Sequence, residues 1–427
     1  MNSFQKAIDI IRQKAKNETE KGNAFEKLSK IYFENDDVQK QLFNKVYHYK
    51  EWAKKNPNFS QTDIGIDLVA EIKTGGLAAI QCKCYDSNHS ISKEDLDSFI
   101  SASNNEIFKR LILIDTSNED LGVNAKKVIN NLDKDYLRVQ KSELENSRIN
   151  WLTFLKEDRV VLQKKKELRD HQIKALLAAE KYFKNNDRGK MIMACGTGKT
   201  FTSLRITEKI AGKGKFILYM VPSLALMSQT IREWKNDCNE DFEAFSACSD
   251  TKVGKKKTND DEVIINLNEL SFPATTDSNK LAEEIKKTDK SKMIVVFSTY
   301  QSIDVVSKAQ NDHGLRNFDL ILCDEAHRTT GATLSDEDES YFIKIHNNEH
   351  ISGKKRLYMT ATPRIYGEKA KQKADEGEAE LSSMDDKKIF GITFFSYGFN
   401  EAVVNNLLTD YKVVILAIDE EKVSSTL

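Results

Sequence analysis

Two groups of residues in this 427-residue chain have the types and spacing to act on phosphates. The first is Asp67, within Gly65-Ile66-Asp67-Leu68, followed by Gln81-Cys82-Lys83. A carboxylate on one strand, with Gln-x-Lys on its hairpin partner, can hold Mg²⁺ and activate water. Asp67 and a Gln81 oxygen would be the ligands, and Lys83 would stabilise developing charge or lower the pKa of the attacking water. Strand alternation puts Gln81 and Lys83 on one face and Cys82 and Cys84 on the other. The cysteines are therefore expected in the core rather than on a metal. Glu26, in Phe25-Glu26-Lys27-Leu28, is a candidate further carboxylate, and Asp63 competes with Asp67. A surface salt bridge is the bland alternative for the whole group.

The second group starts at Ala194-Cys195-Gly196-Thr197-Gly198-Lys199-Thr200, after a short apolar stretch and before a helical one. Strand, glycine loop and helix are the context in which backbone N–H groups and a helix N-terminus cradle phosphates. Gly196, Thr197 and Gly198 would form the cradle for ATP. Lys199 would reach the β- and γ-phosphates, and Thr200 would coordinate Mg²⁺. Met193 stands where the general pattern has its first glycine. Asp324-Glu325-Ala326-His327 closes an apolar run, which places Asp324 to hold Mg²⁺ and Glu325 to orient and deprotonate water. Thr360-Ala361-Thr362 closes the next run, where its hydroxyls can report nucleotide state. Gln172, upstream of the loop, is positioned to read an adenine edge.

The elements that must position these residues are legible in outline. Residues 3–34 read as one or two helices with an apolar stripe of Phe25, Leu28, Ile31 and Tyr32. Residues 64–71 and 77–85 read as strands joined by a Gly75-Gly76 turn, Ser92 as a helix N-cap, 110–115 as a strand and 124–132 as a helix. From residue 168 the runs 215–222, 292–299, 318–325, 355–362 and 411–418 are nearly all apolar, the pattern of a parallel sheet covered on both faces. Residues 250–262, 273–291 and 366–389 are polar and are expected as surface excursions. Residues 156–167 read as a charged connector. His346-Asn347-Asn348-Glu349-His350 fits a zinc pattern, but its polar setting favours a solvated helix end. With 39% hydrophobic and 31% charged residues the chain is globular, and its net charge of −1 leaves phosphate contact to local patches. It has no apolar run of membrane-spanning length and no secretory signal, so it is expected to be cytoplasmic.

The nuclease-like group resembles the Mrr-like branch of the PD-(D/E)XK nucleases, in which glutamine often replaces the acidic residue before x-Lys. The second region is similar to the first RecA-like domain of superfamily 2 DEAH-box helicases. That resemblance implies that Pro222 and Ser223 in VPSLALMSQT, Gln229, and Thr299 in FSTYQS line a nucleic-acid path together with Thr360 and Thr362. It also groups His327 with the ATP site. The stretches 144–151, 381–391 and 399–419 are similar to Type ISP restriction–modification enzymes. The expectation is an α/β chain with a small mixed-sheet restriction-endonuclease-like domain over 1–155, a linker over 156–167 and a RecA-like parallel-sheet P-loop NTPase domain over 168–427. The resemblance implies a Mg²⁺-dependent nuclease on an ATP-driven duplex-DNA translocase. The second RecA-like, methyltransferase and target-recognition domains would be missing, supplied in cis or in trans, and ATP turnover by this chain alone would then be poor. A nuclease–helicase of another defence or repair system, or a DNA-binding remnant without motor activity, are the alternatives.

Overall fold

The computed structural model describes residues 3–60, 62, 65–248, 272–334, 341–368 and 379–410. Asp63, the stretch 250–262 and the strand predicted over 411–418 lie outside the described residues. The described chain is mixed α/β, with one small mixed sheet and one parallel sheet.

The first sheet has five strands in chain order, β1 (Phe43–His48), β2 (Leu68–Ile72), β3 (Leu77–Lys83), β4 (Phe108–Asp115) and β5 (Asp135–Val139). β1, β2 and β3 are antiparallel, whereas β3, β4 and β5 run parallel. The β2–β3 hairpin turns at Gly75 and Gly76, whose φ values of +106° and +85° favour glycine. Side chains alternate across the sheet. Leu68, Ala70, Ala78 and Ile80 pack with Phe4, Phe25, Leu28 and Tyr32 of the helices Ser3–Lys14 and Glu18–Asn35. Val69, Ala79, Leu111 and Leu113 pack with Leu96 and Phe99 of the helix Glu94–Ala102. That helix starts two residues beyond Ser92, yet Ser92 still caps it: its hydroxyl accepts from the Asp95 N–H at 3.3 Å, and Asp95 Oδ2 accepts from the Ser92 N–H at 2.9 Å.

The second half contains β6 (Arg188–Met193), β7 (Phe216–Val221), β8 (Phe242–Ala247), β9 (Met293–Thr299), β10 (Leu320–Cys323), β11 (Gly331–Leu334), β12 (Arg356–Thr360), β13 (Ala379–Ser382) and β14 (Ile392–Tyr397). Seven of these form a sheet of order β14-β6-β12-β10-β7-β9-β8, every neighbouring pair parallel. β11 and β13 form a separate antiparallel ribbon. Every residue of β7, β9 and β12 is buried. Each large apolar side chain there stabilises the fold by about 1.5–3 kcal/mol relative to exposure, so Leu218→Asp would break this layer.

Two sequence expectations are revised, and two strands escape the apolar pattern. Residues 273–291 are not a surface excursion: they contain the helix Ser278–Lys287, capped by Asp277 and buried along Leu281, Ala282 and Ile285. That narrow stripe is diluted by the charges around it. β8 and β14 are sheet edges whose residues are only partly covered, so neither gives a continuous apolar run. The connector is tied down rather than loose. Asn150 N–H donates to the Val161 carbonyl at 2.8 Å and Gln163 N–H to that of Arg148 at 2.6 Å. Lys166 then pairs with Glu233 and Asp237, both at 3.2 Å.

The two halves meet along the helix Leu224–Asp237. Its Arg232 places Nη1 3.5 Å from Asp36, and Nη2 3.3 Å from Glu143 and 3.2 Å from the Tyr32 hydroxyl. A buried pair of this kind is a weak source of net stability, but removing one partner costs about 3–5 kcal/mol. Among the described residues no helix is long and apolar enough to cross a membrane.

Candidate functional site

The hairpin β2–β3 pairs Leu68 with Ile80. Continuing that register sets Asp67 opposite Gln81, on the face of Val69 and Ala79. β2 itself begins at Leu68, one residue after Asp67, but the ladder reaches Asp67: its N–H donates to the Ile80 carbonyl at 3.0 Å. Asp67 Oδ2 accepts from the Cys82 N–H at 2.7 Å, which aims the carboxylate along β3. Asp67, Gln81 and Lys83 line one cavity of about 650 Å³ with Gly65, Cys82, Ser98, Ser101 and Ala102. Gln81 is 3% exposed, and its Oε1 has no hydrogen-bond partner. A buried amide oxygen without a donor is unfavourable by about 1–3 kcal/mol, and a cation beside Asp67 would remove that penalty. The donor set, one carboxylate and one amide oxygen with open space beside them, fits Mg²⁺. No cluster of three or more His, Cys, Asp and Glu side chains exists among the described residues, so any metal here depends on the amide.

Glu26 is not among the residues that line this cavity; its Oε2 is 3.9 Å from His48 Nδ1, and its charge acts on Cys82, which does line it. Cys84 is buried and Cys82 packs against the core under the first two helices; burial, followed by the Asp67 charge, pushes the Cys82 thiol well above its usual pKa. Cys84 is thus a core residue, as alternation predicts, whereas Cys82 is half-buried, packed against the core and also part of the cavity lining. Ser98 and Ser101 carry no local signal, because a helix separate from the hairpin brings them to the cavity wall.

In the second half the glycine loop, Pro222-Ser223, Thr299, Asp324-Glu325 and Thr360 all lie at the C-terminal edge of the parallel sheet, where ligands of such sheets bind. The loop 194–198 follows β6 and enters the helix Lys199–Ile210. Gly196 and Gly198 have φ of +79° and +84°, and a Cβ on Gly198 would lie 2.4 Å from Gln172 Nε2. Thr197 is buried, its hydroxyl donating to the Ala194 carbonyl at 2.6 Å. Lys199 Nζ is 3.6 Å from Glu325 Oε1 and donates to the Met193 carbonyl at 3.4 Å. Thr200 offers its carbonyl to Trp234 Nε1–H at 3.1 Å.

Asp324 follows β10 and Glu325 turns the chain at φ +45°, an uncommon conformation for a residue with a side chain. Burial, followed by the neighbouring Glu325 charge, pushes the Asp324 carboxyl up to about 6. The Tyr219 hydroxyl donates to Asp324 at 3.4 Å. His327 Nδ1 is 2.9 Å from the Thr360 hydroxyl, which accepts from the Thr362 N–H at 3.2 Å. β12 lies between β6 and β10, so this contact joins the segments that follow adjacent strands. Burial also lowers the His327 pKa.

Gln172 faces the loop. Its Nε2 donates to the carbonyls of Thr197 and Gly198 at 3.3 and 3.4 Å, and its Oε1 accepts from Arg169 N–H at 2.9 Å. Both ends are engaged by protein, so it braces the loop. His171 adds a bond from Nε2 to the Thr197 carbonyl at 2.9 Å and stacks on Tyr397. Pro222 and Ser223 follow β7, and the Ser223 hydroxyl caps the helix Leu224–Asp237. Thr299 ends β9 and is buried, with its hydroxyl 2.7 Å from that of Ser302. Gln229 is exposed in the cleft between the halves. His346 and His350 do not converge. His346 lies 2.9 Å from the Thr329 carbonyl and 3.0 Å from the Tyr358 hydroxyl, whereas His350 pairs with Asp304. Their segment is a packed turn rather than the solvated helix end expected.

A restriction endonuclease family matches residues 34–161, and the Type III restriction enzyme res subunit family matches 165–365. The ATP-dependent Type ISP restriction-modification enzyme LlaBIII, solved bound to DNA, is 37% identical over 96% of this chain with a TM-score of 0.76; the chain covers 26% of it. A nuclease-deletion mutant of the Type ISP enzyme LlaGI, in complex with a DNA substrate mimic, is 41% identical over 57% of this chain and 18% of that one, with a TM-score of 0.45. The Type I restriction enzyme EcoAI endonuclease subunit of Escherichia coli is 26% identical over 257 residues, 60% of this chain and 25% of that protein. The chain thus spans about a quarter of the length of LlaBIII and of the EcoAI subunit. It joins a restriction-endonuclease domain to a helicase-type domain and is similar to Type ISP and Type I restriction enzymes.

Proposed function

We propose that this chain supplies the nuclease and the nucleotide-binding motor domain of an ATP-dependent DNA restriction endonuclease of the Type ISP kind. It would work in the cytoplasm on double-stranded DNA. The observation that carries the reading is the convergence of Asp67, Gln81 and Lys83 on one cavity, in the same chain that aligns Lys199 with Glu325.

In the nuclease half, Asp67 and Gln81 Oε1 would hold Mg²⁺, which when bound would polarise the phosphodiester and acidify water. Lys83, on the same face, offsets charge developing on the phosphate. In the motor half, the backbone of Gly196, Thr197 and Gly198 cradles the phosphates of ATP. Lys199 exchanges Glu325 for those phosphates, which frees Glu325 to orient the attacking water. Thr200 and Asp324 would hold the nucleotide's Mg²⁺. The contact from His327 through Thr360 to Thr362 links that chemistry to the DNA path, with Pro222, Ser223, Gln229 and Thr299 along it.

The test is a plasmid-nicking assay with Mg²⁺ comparing the wild type with Asp67→Ala and Lys83→Ala. Loss of nicking in both variants is expected, and equal cleavage by all three would remove the assignment. Nucleotide titration of Lys199→Ala tests the motor half, where unchanged affinity would count against it.

A further inference from the structure

We infer that the helix Glu94–Ala102 is the wall on which the DNA strand is seated for cutting, with the hydroxyls of Ser98 and Ser101 donating to a backbone phosphate beside Asp67 and Lys83. The inference rests on the nuclease reading and adds to it the residues that hold the substrate.

Ser98 and Ser101 are three apart on a helix, so they share a face. Both line the cavity that holds Asp67, Gln81 and Lys83, with Ala102 next to them. Both are exposed, and neither hydroxyl has a hydrogen-bond partner in the protein among the described residues. A small-residue face alone would mean little. Here it looks onto the Gln81 amide, which is buried with an unpartnered oxygen and lines the same cavity. The cavity is therefore built from both sides with hydrogen-bonding capacity that the protein leaves unused.

The carboxylates of the same helix, Glu94, Asp95 and Asp97 in its first turn, are not among the residues that line the cavity. Asp95 accepts from the Tyr85 hydroxyl at 2.6 Å and from the Ser92 N–H at 2.9 Å. Asp97 pairs with Lys93 at 3.1 Å. Asp95 and Asp97 are thus engaged by neighbours within the protein. Gly65 completes the wall: with φ at +91°, its missing Cβ would lie 2.8 Å from Ser98 Oγ. The chain leading to Asp67 passes against Ser98, which holds that hydroxyl close to the catalytic edge of the hairpin.

The experiment measures Mg²⁺-dependent nicking and Ca²⁺-supported binding of a DNA duplex for the full chain and five variants. Asp67→Ala must abolish nicking; if it does not, the nuclease reading itself fails. With that established, Ser98→Ala and Ser101→Ala should each raise KM for DNA about tenfold, with kcat within about threefold, because a bond to a charged phosphate is made in ground and transition states alike. Ser101→Thr keeps the donor and should restore KM to within about twofold. Ser98→Leu should block the wall and lower duplex affinity further. Nucleotide affinity serves as the control for folding and should be unchanged in all five. Wild-type KM and duplex affinity in both alanine variants, with Asp67→Ala inactive, would overturn the assignment. Threonine failing to rescue an impaired Ser101→Ala would overturn it as well, since shape rather than the hydroxyl would then be at work.

Discussion

Two buried glutamines separate the two halves of this molecule. Gln81 and Gln172 are 3% and 4% exposed, and each lies beside residues of phosphate chemistry. Gln172 has both ends of its amide engaged, by Arg169 and by the loop carbonyls of Thr197 and Gly198. Gln81 keeps its oxygen unpartnered. The motor site therefore satisfies itself: Lys199 faces Glu325, His327 meets Thr360, and the glutamine holds the loop. The nuclease site is complete only with something added. A phosphate loop must keep its shape between nucleotides, whereas a metal site needs donors that no other group occupies.

This contrast can be broken by experiment. The largest expected effect is on chemistry. Asp67→Ala should lower Mg²⁺-dependent cleavage by about a thousandfold or more while leaving nucleotide affinity unchanged, because it removes a metal ligand in a different domain. A nucleotide defect in that variant would show that the two sites are not separate. Lys199→Ala should weaken nucleotide binding by about 30- to 100-fold, the worth of a charge-assisted bond to phosphate, without touching the nuclease cavity. Isothermal titration with a non-hydrolysable nucleotide reads this directly.

Acid provides a sharper distinction. Burial, opposed by a hydrogen bond to the Thr329 carbonyl, lowers the His346 pKa to about 4. The unfolded residue binds its proton near 6.5, so this contribution to stability is fully present above about pH 6.5 and is lost as pH falls towards 4. The expected loss is on the order of 2–3 kcal/mol. Urea denaturation at pH 7.5 and 4.5 should show a smaller difference in His346→Gln than in the wild type. An identical difference would mean that other groups carry the acid response.

The smallest effect concerns the glutamines themselves. Gln81→Leu should leave stability unchanged or raise it by about 1 kcal/mol, because it removes an unpaired amide, while lowering metal affinity. Gln172→Leu should cost about 1–3 kcal/mol, because Thr197 and Gly198 lose their donor. Matching thermal shifts in both variants would erase the distinction drawn between the sites.

The two groups of phosphate chemistry are legible in the sequence for a physical reason. Loops that bind phosphate need glycine, lysine and hydroxyl residues at fixed spacing, and fully buried parallel strands need unbroken apolar runs. Both requirements act over a few neighbouring residues, so Gly196 to Thr200, Asp324-Glu325 and the strands β7, β9, β10 and β12 stand out. The alternation of β3 similarly separates Gln81 and Lys83 from Cys82 and Cys84. Edge strands and diluted helices carry weaker patterns, which is why β8, β14 and Ser278–Lys287 do not read as elements. Contacts between distant segments leave no local pattern at all. Only the tertiary structure decided that Gln172 braces the loop and that Ser98 and Ser101 come to stand beside Asp67. The same holds for Arg232, which meets Asp36 and Glu143 across the junction of the two halves. Residue types and spacing fix which chemistry is available; packing fixes which side chains are left free to perform it.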